Sequence, residues 1–162
     1  MQKTKKHIII PTEKEWLEKG YYGITGFTTE EGIILDLDNT TLEEAKAIAF
    51  CYLKEFKLQG FIIMKSSKNN YHVIFDKVLK WKSVVSILSA IMYDFYFEKH
   101  DEKPHLTKWI IQQFIKCSET VRLNEKGKKP IPKFIYEYGK QQGLINSYIE
   151  NYSETNKKKR IF

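Results

Sequence analysis

With 162 residues, 42% of them hydrophobic and 14% aromatic, the chain can build one compact core, and wholesale disorder is excluded. Its formal net charge is +7, and of its 27 cationic residues only Arg122 and Arg160 are Arg. Lys is a mobile point charge that suits sequence-blind attraction to phosphate, which argues against a sequence-specific DNA reader built on bidentate Arg forks.

The start of the chain is basic, but only Ile8-Ile9-Ile10 precede Pro11, too short for the apolar region of a signal peptide. No run of apolar residues approaches the roughly 20 positions that a membrane-spanning helix needs. A soluble protein of a reducing cytoplasm, without a membrane partner, is therefore expected. Residues around Trp16 and Leu17 carry a weak helical pattern, and Gly20, Gly23 and Gly26 punctuate an aromatic segment suited to a hairpin.

Ile33 to Asp38 reads as the first strong strand, with Ile33, Leu35 and Leu37 on one face and Ile34, Asp36 and Asp38 on the other. Thr41, with Glu44 three residues later, reads as the cap of a helix running to about Lys57, its inner face Ala45, Ile48, Ala49, Tyr52 and Phe56. Phe61 to Met64 and Tyr71 to Phe75 read as two strands joined by the polar loop Lys65 to Asn70, an arrangement that suggests antiparallel neighbours. Trp81 to Phe97 has a helical period, and Pro104 suits the first turn of a further helix carrying Leu106, Trp109, Ile110 and Phe114.

Short strands around Thr120 to Leu123 and Phe134 to Tyr138 flank a Lys/Gly turn, and Leu144 to Tyr152 suits a closing helix. The expected fold is α+β, an antiparallel sheet covered by helices. The expected organisation is one domain over residues 1–152 and a basic flexible tail over 153–162. Cys51 and Cys117 form no CxxC or Cys/His cluster, so both are expected as buried small hydrophobes.

Two features carry chemistry. Asp36 and Asp38 project from one face of a strand, where like charges repel unless a cation lies between them. Hard carboxylate oxygens favour Mg²⁺ or Mn²⁺, ions that bridge carboxylates to phosphate. The bland reading of Asp38-Asn39 is turn and cap chemistry. The second feature is Ser66-Ser67-Lys68-Asn69-Asn70-Tyr71-His72-Val73, a loop of anion donors with a histidine just inside the next strand. A lone strand histidine is more often structural, but here it belongs to the same unit as the paired acids.

Leu35-Asp36-Leu37-Asp38-Asn39, the helix that follows, and Ser66/Ser67 with Tyr71-His72-Val73-Ile74 together resemble the catalytic core of the archaeo-eukaryotic primase superfamily. Asp101, then Val121-Arg122-Leu123 and Gly127-Lys128-Lys129-Pro130, look like that family's third acid, hydrophobic-Arg-hydrophobic segment and Lys/Gly/Pro stretch; Asp94 is a rival for the third acid. The likeness spans roughly residues 33–135, although the loop before His72 lacks the glycines that many members have there.

The resemblance implies an RRM-like primase core and two-metal, template-directed nucleotidyl transfer in DNA replication, in a plasmid or virus system. Asp36, Asp38 and Asp101 would hold Mg²⁺ or Mn²⁺, while Ser66, Ser67, Lys68, His72 and Arg122 would contact the nucleotide. The implied partners are a single-stranded DNA template, nucleoside triphosphates and other replication proteins.

Asp36-Leu37-Asp38-Asn39-Thr40 also resembles the first motif of haloacid-dehalogenase-like phosphatases, in which Asp36 would be a nucleophile. The paired acids that such enzymes carry on a later strand are missing here. A third reading keeps the primase-like fold without catalysis, as a nucleic-acid-binding replication protein. Gln142, Ile145, Tyr148 and Ile149 partly resemble a sliding-clamp-binding peptide, better explained as an ordinary amphipathic helix. Tyr21, Tyr22 and Phe27 are candidates for base stacking, with core packing the default.

Overall fold

The computed structural model describes residues 25–97 and 104–157. Tyr21, Tyr22, Asp101, the residues around Trp16 and the last five residues lie outside this range. The elements run β1 (Gly26–Thr29), β2 (Ile34–Leu37), α1 (Leu42–Phe56), β3 (Gly60–Ser67), β4 (Asn70–Phe75), α2 (Trp81–Phe97), α3 (Pro104–Lys116), β5 (Glu119–Arg122), β6 (Lys133–Gly139) and α4 (Leu144–Lys157). The fold is α+β with antiparallel pairing throughout, as expected.

Four strands form the main sheet in the order β2-β4-β3-β6, and β1 and β5 pair as a separate ribbon. The β3–β4 hairpin inserts β4 between β2 and β3, so α1 crosses over one strand on its way from β2 to β3. Both faces of this sheet are covered, which is why β3 and β4 read as continuous apolar runs rather than as alternating strands. Leu35, Leu37, Phe61, Ile63, Tyr71, Val73 and Phe75 pack under α1, α2 and α3 in the larger core. Ile34, Ile62, Met64 and Ile74 face the other way and meet Phe27, Val121, Leu144, Ile145 and Tyr148 from the β1–β5 ribbon and α4.

Local chemistry sets the ends of these elements. Thr41 caps α1, its Oγ1 accepting the Glu44 N–H at 3.2 Å, as the sequence signature predicts. Lys57 closes the same helix in the left-handed conformation. Asp76 is fully buried, and its carboxylate accepts the N–H groups of Gln142, Gly143 and Ile145, holding the start of α4 against the end of β4.

Several expectations are corrected. Cys51 and Cys117 are exposed free thiols, because Cys51 falls on the outer side of α1 and Cys117 caps α3 at φ +57°. Phe27, by contrast, follows the default reading: it is core, edge-on to Tyr148 at 5.3 Å between ring centroids. α4 continues to Lys157, so residues 153–157 are helix rather than tail. The Asn156 side chain ties this last turn down by donating to the Leu123 and Tyr152 carbonyls, both at 3.0 Å.

Candidate functional site

The ribbon-facing side of β2 changes character within one turn of the pleat. Ile34 is buried in the smaller core, Asp36 two residues on is half-buried, and Asp38 lies just past the strand end. Asp36 registers with His72 on β4, and His72 with Met64 on β3, so one cross-strand row leads from an acid through an imidazole to an apolar side chain.

Loop chemistry then gathers the remaining groups at this end of the sheet. Asn39 and Asn69 adopt positive φ, a conformation that Asn tolerates. This lets the Asn39 N–H reach Asn70 Oδ1 at 3.0 Å and the Thr40 N–H reach the Asn69 carbonyl at 2.8 Å. Asn70 Nδ2 donates to Ser67 Oγ at 2.6 Å. A bulge at Ser66, where β3 slips against β4, brings both serines to the same edge.

From β5, Arg122 closes the cleft. Its guanidinium donates to the carbonyls of Ser66 at 2.7 Å and Pro130 at 2.5 Å, and also to that of Asn124. One side chain therefore clasps the β3–β4 turn to both ends of the lysine-rich turn that follows β5. The result is a polar cleft of about 160 Å³ lined by Asp36, Asp38, Ser66, Ser67, His72 and Arg122, together with Asn70, Thr120, Val121, Lys126 and Lys129. This is room for several waters or a phosphate group.

The electrostatics are opposed in sign across the cleft. Burial, and then the nearby Asp38 carboxylate, push the Asp36 carboxyl up to about 7, while Lys129 and Arg122 pull it down. His72 is pushed down to about 3 by burial, with Arg122 and Lys129 adding repulsion. His72 Nε2 lies 3.6 Å from Asp36 Oδ1. At neutral pH the imidazole is uncharged, so this is a contact between a neutral ring and a titrating acid rather than an ion pair. His72 Nδ1 is buried without a hydrogen-bond partner among the described residues.

Of the sequence candidates, Asp36, Asp38, Ser66, Ser67, His72 and Arg122 converge here, and Lys68 lines an adjoining groove. The rival third acid, Asp94, is on α2 and accepts a hydrogen bond from Tyr52 Oη at 3.1 Å; it does not line the cleft. Thr120 and Lys126 are site residues that the sequence reading misses, while Asn70 and Lys129 enter it only as members of the Ser66 to Val73 loop and the Gly127 to Pro130 stretch, not as named site residues.

Among the described residues, no three His, Cys, Asp or Glu side chains lie close enough to hold a metal ion unaided. The side chains here that could take part in holding an ion are Asp36 and Asp38, and Mg²⁺ needs only one or two carboxylates because water and phosphate complete its shell.

No protein-family model matches the chain, and no curated protein or solved structure is significantly similar to it.

Proposed function

We propose that the cleft is the nucleotidyl-transfer site of a primase- or polymerase-like enzyme that acts in DNA replication. The observation that carries this reading is the meeting of Asp36, Asp38, Ser66, Ser67, His72 and Arg122, drawn from four strands, around one phosphate-sized cleft. The insertion of β4 between β2 and β3 is also what an RRM-like primase core would have.

In this reading Asp36 and Asp38 would hold Mg²⁺ or Mn²⁺ together with the triphosphate of the incoming nucleotide. The ion would lower the pKa of an attacking hydroxyl and offset the charge on the phosphates. His72, uncharged and fixed by the strand, contributes hydrogen bonding rather than charge. Ser67 lines the cleft, and Lys126 and Lys129 supply positive potential beside the acids. Arg122 acts mainly on the protein itself, holding the two loops that form the walls.

The test is incorporation of labelled nucleotide by the full chain on single-stranded DNA, with and without a primer, in Mg²⁺ or Mn²⁺. Template-dependent incorporation that disappears in Asp36→Ala and Asp38→Ala is expected. Metal-dependent phosphate release without extension would replace this reading with the phosphatase one. DNA binding that survives both substitutions, with no turnover under either metal, would replace it with a non-catalytic replication protein.

A further inference from the structure

A second, larger depression of about 630 Å³ opens beside the cleft and shares Ser67, Lys126 and Lys129 with it. Its lining is Ser67, Lys68, Lys126, Gly127, Lys128, Lys129 and Pro130, which includes four lysines and no carboxylate. Three of those lysines stand on one tight turn. The Lys126 N–H donates to the Lys129 carbonyl at 3.1 Å, and the Lys129 N–H returns to the Lys126 carbonyl at 2.9 Å. Gly127 takes the positive φ, +58°, that the first central position of such a turn requires.

The turn is fixed in place. Arg122 donates to the carbonyls of Asn124 before it and Pro130 after it, and through Ser66 ties both to the β3–β4 turn that carries Lys68. Like charges held together on a rigid scaffold repel, and an extended polyanion relieves that repulsion at several points at once.

The sheet adds a second kind of contact. Continuing the cross-strand row, Asp36 registers with His72, His72 with Met64, and Met64 with Phe134 on the edge strand β6. Phe134 is 46% exposed, so the row begins with an acid and ends with an aromatic ring in solvent. Three strand spacings of about 4.8 Å place it roughly 14 Å from Asp36. A ring of this kind accepts the face of an unpaired base, which a duplex hides between its neighbours.

We propose that this groove seats a single-stranded nucleic acid, its phosphates on Lys68, Lys126, Lys128 and Lys129, and that the strand continues to Phe134, outside the groove's lining on the edge strand, where one base stacks. The proposal extends the nucleotidyl-transfer reading, on which it rests for the chemistry at the end of the strand; its test reads binding instead of turnover.

The full chain carrying Asp36→Asn and Asp38→Asn is titrated against a fluorescein-labelled single strand and the matching duplex at several salt concentrations, following anisotropy. Adding Lys126→Ala, Lys128→Ala and Lys129→Ala should weaken single-strand binding by at least about tenfold and reduce the salt slope by about 2. Phe134→Ala should weaken it by roughly tenfold, with recovery in Phe134→Trp and no change for the duplex. Unchanged affinity and slope in the triple-lysine variant would overturn the proposal. So would an equal loss from Lys54→Ala, Lys57→Ala and Lys82→Ala on the α1 and α2 side, or a preference for duplex. An unaltered Phe134→Ala would refute the stacking site. Wild-type chain that binds in this way but incorporates nothing would instead count against the catalytic reading alone.

Discussion

Leu35 and Asp36 are neighbours on β2 and look into two different environments. Leu35 is completely buried under the helices, in a core of aliphatic and aromatic side chains. Asp36 looks the other way, where the ribbon and α4 cover only part of the sheet and leave a polar cleft at the end where β2 gives way to α1. One side of the sheet is therefore closed by burial, worth about 1.5–3 kcal/mol for each large side chain. The other side stops being closed where the charged groups begin, and is held there by directed hydrogen bonds instead. Stability and chemistry are divided between the two sides of a single strand.

The widest break in that comparison is expected from Leu35→Ala. Removal of this side chain leaves a cavity in the helix-side core, and chemical denaturation should register a loss of about 2–5 kcal/mol. Arg122→Lys comes next. An ammonium cannot reproduce a planar fork that serves three carbonyls, so a cost of about 2 kcal/mol is expected, along with faster proteolysis between Asn124 and Pro130. A variant as stable and protease-resistant as the parent would show that the clasp does not hold the polar end.

Asp36→Asn should act in the opposite direction to Leu35→Ala. The folded-state pKa of Asp36 is raised from 3.8 to about 7. Its stabilising contribution is therefore complete below pH about 4 and is lost as pH rises through 7. Without metal, Asp36→Asn should melt higher than the parent at pH 8 by about 1–2 kcal/mol, or roughly 3–8 °C, and match it near pH 4. Added Mn²⁺ should raise the parent's melting temperature more at pH 8 than at pH 5.5, and leave Asp36→Asn unmoved. A variant that melts lower than the parent at every pH would make Asp36 a structural residue and sink the cleft as a metal site.

Much of this division was legible in the sequence. The alternation Ile34, Asp36, Asp38 against Ile33, Leu35, Leu37 already put the acids on one face, and Thr41 with Glu44 marked the helix that follows. The Asn-rich loop pointed to the β3–β4 hairpin. What could not be read was long-range. The bond from the Gln142 N–H to Asp76 spans 66 residues, and the pairing of β1 with β5 spans about 90. No local pattern encodes either. The exposure of Cys51 and Cys117 is not legible, because a small apolar residue in a helical pattern reveals little about which way it faces. The motif marks Arg122 as a ligand contact but does not encode the clasp in which its guanidinium donates to the main-chain carbonyls of Ser66, Asn124 and Pro130.

The smallest expected effect concerns the join between the two sides. Glu119 is completely buried on β5 and accepts the Ile34 N–H through Oε1 at 3.0 Å, linking the ribbon to the edge of the main sheet two residues before Asp36. Its Oε2 is buried without a hydrogen-bond partner among the described residues. Burial pushes this carboxyl well above its ordinary range, against the opposing pull of the Ile34 hydrogen bond and Lys116. A raised folded-state pKa means stability that is complete below about 4.5 and is lost as pH climbs above it, because only the unfolded chain ionises freely. Glu119→Gln keeps an acceptor for the Ile34 N–H and cannot ionise. It should match the parent at pH 4 and exceed it by about 1 kcal/mol at pH 7 in denaturant titrations. If it is instead weaker at both, the carboxylate is ionised and paired with Lys116, and the ribbon is joined to the sheet by charge rather than by a neutral hydrogen bond.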